Sequence, residues 1–199
     1  MRSAIPSILL LLSSLAWAAE PVMLENGKSP DGKYFTRIQP PVEPGTVISM
    51  EVCKVKDGAV VGRTAAGGYA PFPLVADEVN TAVLWSPDSK HLALMTRGTK
   101  RTWELSLFQI TDTGMAEIIL PDATERALQV VKSTATNRSL HQRPLRWADN
   151  CTLTVRASGD AVNPDGSSIP LWYEVDVTYD IVQKKVSASK LIEVKPNEG

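Results

Sequence analysis

Trp85-Ser86-Pro87-Asp88-Ser89-Lys90 runs directly into His91-Leu92-Ala93-Leu94-Met95, and the reading of this stretch decides the fold. Pro presets φ and Asp bonds back to nearby backbone N–H groups, so the polar middle reads as a tight turn. Thr81 to Trp85 before it is apolar, and His91 to Arg97 after it alternates. The whole is strand, turn, strand. Two further copies flank it. Ser29-Pro30-Asp31-Gly32-Lys33 leads into Tyr34-Phe35-Thr36-Arg37-Ile38, and Trp147-Ala148-Asp149-Asn150 leads into Cys151 to Arg156. Asp31, Asp88 and Asp149 are 57 and 61 residues apart, and each is read as a structural turn residue whose carboxylate accepts backbone hydrogen bonds.

The residues between these corners complete the units. Val47 to Val55 alternates as a strand, Lys56-Asp57-Gly58 is a hairpin signal, and Ala59 to Gly62 begins the return. Trp103 to Ile110, Thr111-Asp112-Thr113-Gly114 and Ala116 to Leu120 repeat that order. Pro170 to Ile181 and Val186 to Val194 close the third unit. The prediction is an all-β domain of three consecutive antiparallel four-stranded units, over about 21–67, 78–121 and 143–194. A fixed period of this content marks a repeat array. Asp122-Ala123-Thr124-Glu125 is a helix start, so one short helix is expected over 123–132. Ser133 to Gln142 is polar and reads as loop, and Ser158 to Ser168 as a long polar tip.

Residues 1–18 stand apart from the fold. Met1-Arg2 is basic, Ile8 to Leu15 is apolar, and Ala16-Trp17-Ala18 puts small residues where a signal peptidase reads. The apolar run is far short of the ~20 residues needed to span a bilayer. The expectation is a signal peptide over 1–18 and a single exported domain over 19–199, periplasmic or secreted, with no membrane span. Loss of Arg2 leaves 20 basic against 22 acidic residues, a balance that gives no electrostatic footprint for nucleic acid. Cys53 and Cys151 read either as a disulfide of an oxidising compartment or as two buried thiols in strands.

The corner residues resemble a known family. Trp85-Ser86-Pro87-Asp88-Ser89-Lys90-His91-Leu92-Ala93 is similar to the repeat of TolB-type β-propellers, in which a Trp-Ser-Pro-Asp-Gly turn joins the first two strands of each blade. Ser29-Pro30-Asp31-Gly32-Lys33-Tyr34 matches the turn without the Trp, and Trp147-Ala148-Asp149-Asn150 keeps the Trp and the Asp but not the Ser-Pro pair. The resemblance covers about a third of the chain after residue 18. It implies an exported protein that presents a propeller face to protein partners; such blades also stand beside peptidase domains. Closed propellers have at least four blades, so three units imply an open or incomplete propeller, or a two-layer sandwich. An open array leaves edge strands for a partner or a second copy to cover.

No signature for chemistry emerges. His91 and His141 are the only histidines, the first at a strand start and the second in a polar stretch. Ser187-Ala188-Ser189-Lys190 matches Ser-x-x-Lys without its companion motifs. Asp160, Asn163 and Asp165 could ligate calcium through oxygen, but turn chemistry explains the run Asn163-Pro164-Asp165-Gly166 without a metal, so no metal and no cofactor is expected. Trp85, Trp147 and Trp172 read as core. Trp103, beside Arg97, Lys100 and Arg101, is the candidate binding patch, since indole and guanidinium groups dominate interface hot spots. The sequence thus points to a non-enzymatic exported module or scaffold that binds another exported or envelope protein, or pairs with itself through edge strands. The alternative is a small hydrolase or carbohydrate-active domain using convergent carboxylates such as Glu104 and Glu174.

Overall fold

Two corners are built identically. At the first, Ser29 Oγ donates to Asp31 Oδ1 at 2.7 Å, Lys33 N–H donates to the same oxygen at 3.0 Å, and Tyr34 N–H donates to Ser29 Oγ at 3.0 Å. At the second, Ser86, Asp88, Lys90 and His91 repeat those bonds at 2.7, 3.2 and 2.9 Å. The residue after each Asp is left-handed, Gly32 at φ 72° and Ser89 at φ 61°. The third corner is one residue shorter. Ala148 N–H donates to the Thr152 carbonyl four residues on, whereas Ser86 N–H reaches His91, five residues on. Asp149 still accepts from Cys151 N–H at 2.7 Å and from the Thr152 hydroxyl at 3.0 Å. The Ser-to-Asp clasp is gone because no serine precedes it.

This computed structural model describes residues 21–39, 48–66, 82–98 and 101–197. The leader over 1–18, the Pro-rich corner, the Gly- and Pro-rich connector and Lys100 lie outside the described residues. The first unit is the antiparallel order β1 (Val22–Lys28), β2 (Tyr34–Gln39), β3 (Ser49–Lys54), β4 (Val60–Ala65). The second is β5 (Ala82–Trp85), β6 (His91–Arg97), β7 (Thr102–Thr111), β8 (Gly114–Glu117), and the third is β9 (Ala135–Trp147), β10 (Thr152–Ala161), β11 (Leu171–Asp180), β12 (Lys185–Pro196). Among the described strands the sheets stay open. Helix α1 (Ala123–Val131) begins at Asp122, whose carboxylate accepts from Thr124 N–H at 2.7 Å, and ends at left-handed Lys132.

The stretch read as loop over 133–142 is instead the first half of β9, thirteen residues long. Its polar side chains hid a main-chain pairing with the far end of β10, Leu140 opposite Gly159 and Ala135 opposite Ala161. The same stretch meets β7 in parallel, Thr102 opposite Leu140 and Trp103 opposite His141. That short bridge joins the second and third units into one sheet, where separate sheets were expected.

Two cores lie between the units, and β6 feeds both. Leu92 and Leu94 join Tyr34, Ile38, Met50, Val52, Trp85 and Phe108 between the first and second units. Ala93, on the other face, joins Leu107, Leu153, Val155, Tyr173, Val175 and Tyr179, with Ala123 and Ala127 of α1 closing that core. Each join carries the same device. Trp85 Nε1–H donates to the Gly27 carbonyl at 3.0 Å, and its ring stacks on Tyr34, centroids 6.1 Å apart. Trp147 Nε1–H donates to the Leu84 carbonyl at 3.2 Å, and its ring stacks on His91 at 6.0 Å. Gly27 and Leu84 each stand two residues before the turn serine, so the two joins are equivalent. The first unit has exposed Lys28 at the matching place.

Cys53 and Cys151 are both free, which corrects the disulfide alternative. Cys53 is buried in β3 of the first unit, while Cys151 packs on the core between the second and third units. On the same face of β3 as Cys53, Glu51 is 1% exposed and accepts from Arg37 and Arg63 on the two neighbouring strands. Burial alone would push its carboxyl up, but the bonds from Arg63 and Arg37 outweigh that and hold it below the usual range. At the far edge of the eight-stranded sheet formed by the second and third units, β12 pairs only with β11 among the described residues. Register shifts leave Ser187 and Ile192 as extra residues, and Lys185, Lys190 and Lys195 punctuate the strand. Bulges and lysines are how an edge resists pairing, so this strand is poorly suited to the edge-to-edge self-association the open array allowed.

Trp85→Phe removes one donor from a buried join and is expected to cost on the order of 1 kcal/mol. Trp85→Ala also opens a cavity and is expected to cost roughly 3–5 kcal/mol. Urea unfolding midpoints of the two variants, compared with the parent, check both values.

Candidate functional site

The bridge between β7 and β9 carries more than main-chain bonds. Paired residues on one sheet face form a row across five strands: Arg97 opposite Trp103, Trp103 opposite His141, His141 opposite Ser158, and Ser158 opposite Glu174. Side chains on one face of adjacent strands touch. Trp103 and His141 stack with centroids 6.2 Å apart, and His141 lies 6.1 Å from the ring of Trp172. The Arg97 guanidinium sits 5.9 Å over the Trp103 ring, within cation–π range. A cleft of about 400 Å³ opens here between the second and third units. Ala82, Met95 and Trp103 line one side, and His141, Arg143, Arg156, Ser158, Trp172 and Glu174 the other.

Gly159 makes the crossing of β9 and β10 close. A Cβ there would fall 2.2 Å from the Ser139 carbonyl oxygen, so only glycine lets β9 lie so near. The charges in the cleft are largely paired. Arg156 donates to Asp176 from Nε at 2.8 Å and from Nη2 at 3.2 Å, and its Nη1 lies 3.5 Å from Glu174. Those bonds push the Arg156 guanidinium up against the opposing effect of burial. His141 is held below its ordinary value by burial, with Asp160 pulling the other way. His91, at the neighbouring join, is lowered by burial too, against the pull of Asp88.

The candidate residues thus fall in different places. Trp103 and Arg97 share the cleft's rim, Arg101 is exposed at the entrance to β7, and Lys100 is outside the described residues. Glu104 alternates with Trp103 along β7 and faces the opposite side, whereas Glu174 lies in Trp103's row. These two carboxylates do not converge, so the hydrolase alternative loses the pair it named. Asp31, Asp88 and Asp149 remain within their turns, far along the strands from the row. Missed were His141, Arg143 and Arg156, together with Trp172, which had been assigned to the core. Their alternation, His141 with Arg143 and Trp172 with Glu174, was the available signal. Among the described residues no group of three or more His, Cys, Asp and Glu is arranged to hold a metal ion.

No family model and no curated protein matches this chain. Among solved structures, TolB from Acinetobacter baumannii aligns at 14% identity over 86% of this chain and 31% of its own, with a TM-score of 0.36. A prolyl endopeptidase aligns at 10% identity over 92% of this chain and 30% of its own, also with a TM-score of 0.36. The chain spans about a third of the length of either.

The two lowered histidines set a pH dependence. The unfolded chain takes up a proton at each near pH 6.5, while the folded chain does so only at lower pH. Their contribution is therefore complete above about pH 6.5 and is lost as pH falls through that value toward the folded values. Stability should drop between pH 7.5 and 5.5, and the His91→Gln, His141→Gln double variant should show a shallower drop. Denaturant midpoints at the two pH values read the difference.

Proposed function

We propose that this protein is an exported, non-enzymatic binding module that holds a protein partner in the cleft between its second and third units. The observation that carries this is the open series of rings, Trp103, His141 and Trp172, spaced about 6 Å apart and rimmed by Arg97. Aromatic and arginine side chains at a partly desolvated cleft are the usual anchors of a protein interface. Two cores and two indole joins give those rings a rigid mounting. Separation of Glu104 from Glu174 favours binding over carboxylate chemistry. The basic start, apolar run and Ala16-Trp17-Ala18 of residues 1–18 support export and a partner that is itself exported or in the envelope. No helix among the described residues is long and apolar enough to cross a membrane.

The test uses the chain from Ala19 onward as bait against the exported fraction of its host. Trp103→Ala with Trp172→Ala should weaken a captured protein's affinity by roughly 30-fold, about 2 kcal/mol. Thermal unfolding of the double variant verifies that the fold is kept. Unchanged affinity in a folded double variant would overturn the proposal.

A further inference from the structure

We infer that the second join is an acid-operated joint: protonation of the two histidines that straddle it releases the third unit from the second, while the first join stays closed. This concerns the join itself and holds whatever the cleft takes. The chain has two histidines, His91 and His141, and both lie across that boundary. His91 of β6 stacks on Trp147 of β9 at 6.0 Å, and His141 of β9 stacks on Trp103 of β7 at 6.2 Å. Each unit thus lends an imidazole to the other's indole. The first join is built without one. There Tyr34 takes the place of His91, stacked on Trp85, and its hydroxyl donates to Asp112 of the second unit at 2.6 Å.

The surroundings decide which protonation state the closed join keeps. His91 Nδ1 is buried and has no hydrogen-bond partner among the described residues. A proton there makes a donor without an acceptor, which is costly. Around the ring stand Asp88 and Lys90 of its own turn, with Trp147 and the Asn150 main chain of the third corner. Burial holds His91 low; Asp88 and Asn150 pull the other way and are outweighed, and Lys90 adds to the lowering. His141 lies among Trp103, Trp172 and Asp160, with Arg143, Arg156 and Glu174 lining the same cleft and Arg97 over the Trp103 ring. Burial wins there too, against Asp160. Opening the join hydrates both rings and returns them to ordinary values near pH 6.5. Opening then takes up two protons, so closure is fully favoured above about pH 6.5 and weakens as pH falls from there toward the closed-state values. Each histidine multiplies the opening constant by up to about tenfold per pH unit in that window. The cleft has one wall in each unit, so it comes apart with the join.

Two indole N–H groups report the joins separately, Trp85 on the Gly27 carbonyl and Trp147 on the Leu84 carbonyl. Their hydrogen exchange, followed by NMR in the chain from Ala19 onward and divided by the rate of free indole at each pH, reads how often each join opens. Between pH 7.5 and 5.5 the protection of Trp147 should fall about 10- to 100-fold. At pH 5.5 it should lie about tenfold or more below that of Trp85. His91→Gln with His141→Gln should flatten the fall. His91→Tyr, which copies Tyr34 at the first join and keeps a ring on Trp147, should lessen it. Equal protection of the two indoles at pH 5.5 would show acid unfolding the whole chain at once, and overturns the proposal. So does a Trp147 protection that ignores pH, the result if the indole face attracts the imidazolium as strongly as burial repels it, and so does an unchanged fall in both sets of variants.

Discussion

A single hydrogen bond, made twice, holds this structure in register. An indole N–H at the end of one unit's first strand reaches a carbonyl in the first strand of the unit before it, from Trp85 to Gly27 and from Trp147 to Leu84. The ring then lies on the residue that opens the earlier unit's second strand, Tyr34 or His91. A buried donor without its acceptor is costly, so each tryptophan fixes how far one unit slides along the next. The apolar cores on either side of β6 supply the area; the indoles supply the position. Sheet faces packed by alternation alone would tolerate a slip of two residues. These do not.

Much of this was legible in the residues. Ser-Pro-Asp specifies its own turn, because the hydroxyl, the carboxylate and two backbone N–H groups satisfy one another within six residues. That is why two corners at opposite ends of a 57-residue spacing are superimposable in their bonding. The shorter corner at Asp149 was readable as divergent, since the serine is absent. Trp85 and Trp147 sit on the cores as their patterns suggest, whereas Trp172 lines the cleft; the role of the first two as donors between units depends on a carbonyl about 60 residues away, which no local pattern marks. The cleft was half visible. Trp103 and Arg97 announced themselves as indole beside guanidinium, while His141 and Arg143 were concealed in a run polar enough to pass for loop. Their strand forms because β10 and β7 offer main-chain partners from two units, a long-range cause.

The outer parts of the array are treated differently from its joins. On the first unit Glu51 is sealed under Arg37 and Arg63, an ion triad laid across three strands. On the third, β12 breaks its own ladder at Ser187 and Ile192. One limit is tied down by paired charge and the other blunted by irregular backbone. Neither looks like the joins within the molecule, where rings and aliphatic side chains interlock. The surface that does share their character is the cleft at the second join, where aromatic rings reach solvent.

That cleft is gauged from both ends. The indole bond of Trp147 pins one side of the join, and the two-residue parallel bridge at Trp103 and His141 pins the other. A slot fixed at two points behaves like a caliper with its screw tightened: its width is chosen during folding, before any guest arrives. If the cleft is the partner site proposed above, little ordering is left to oppose entry, discrimination among guests falls to fit, and differences between good and poor ones should appear in how long they stay.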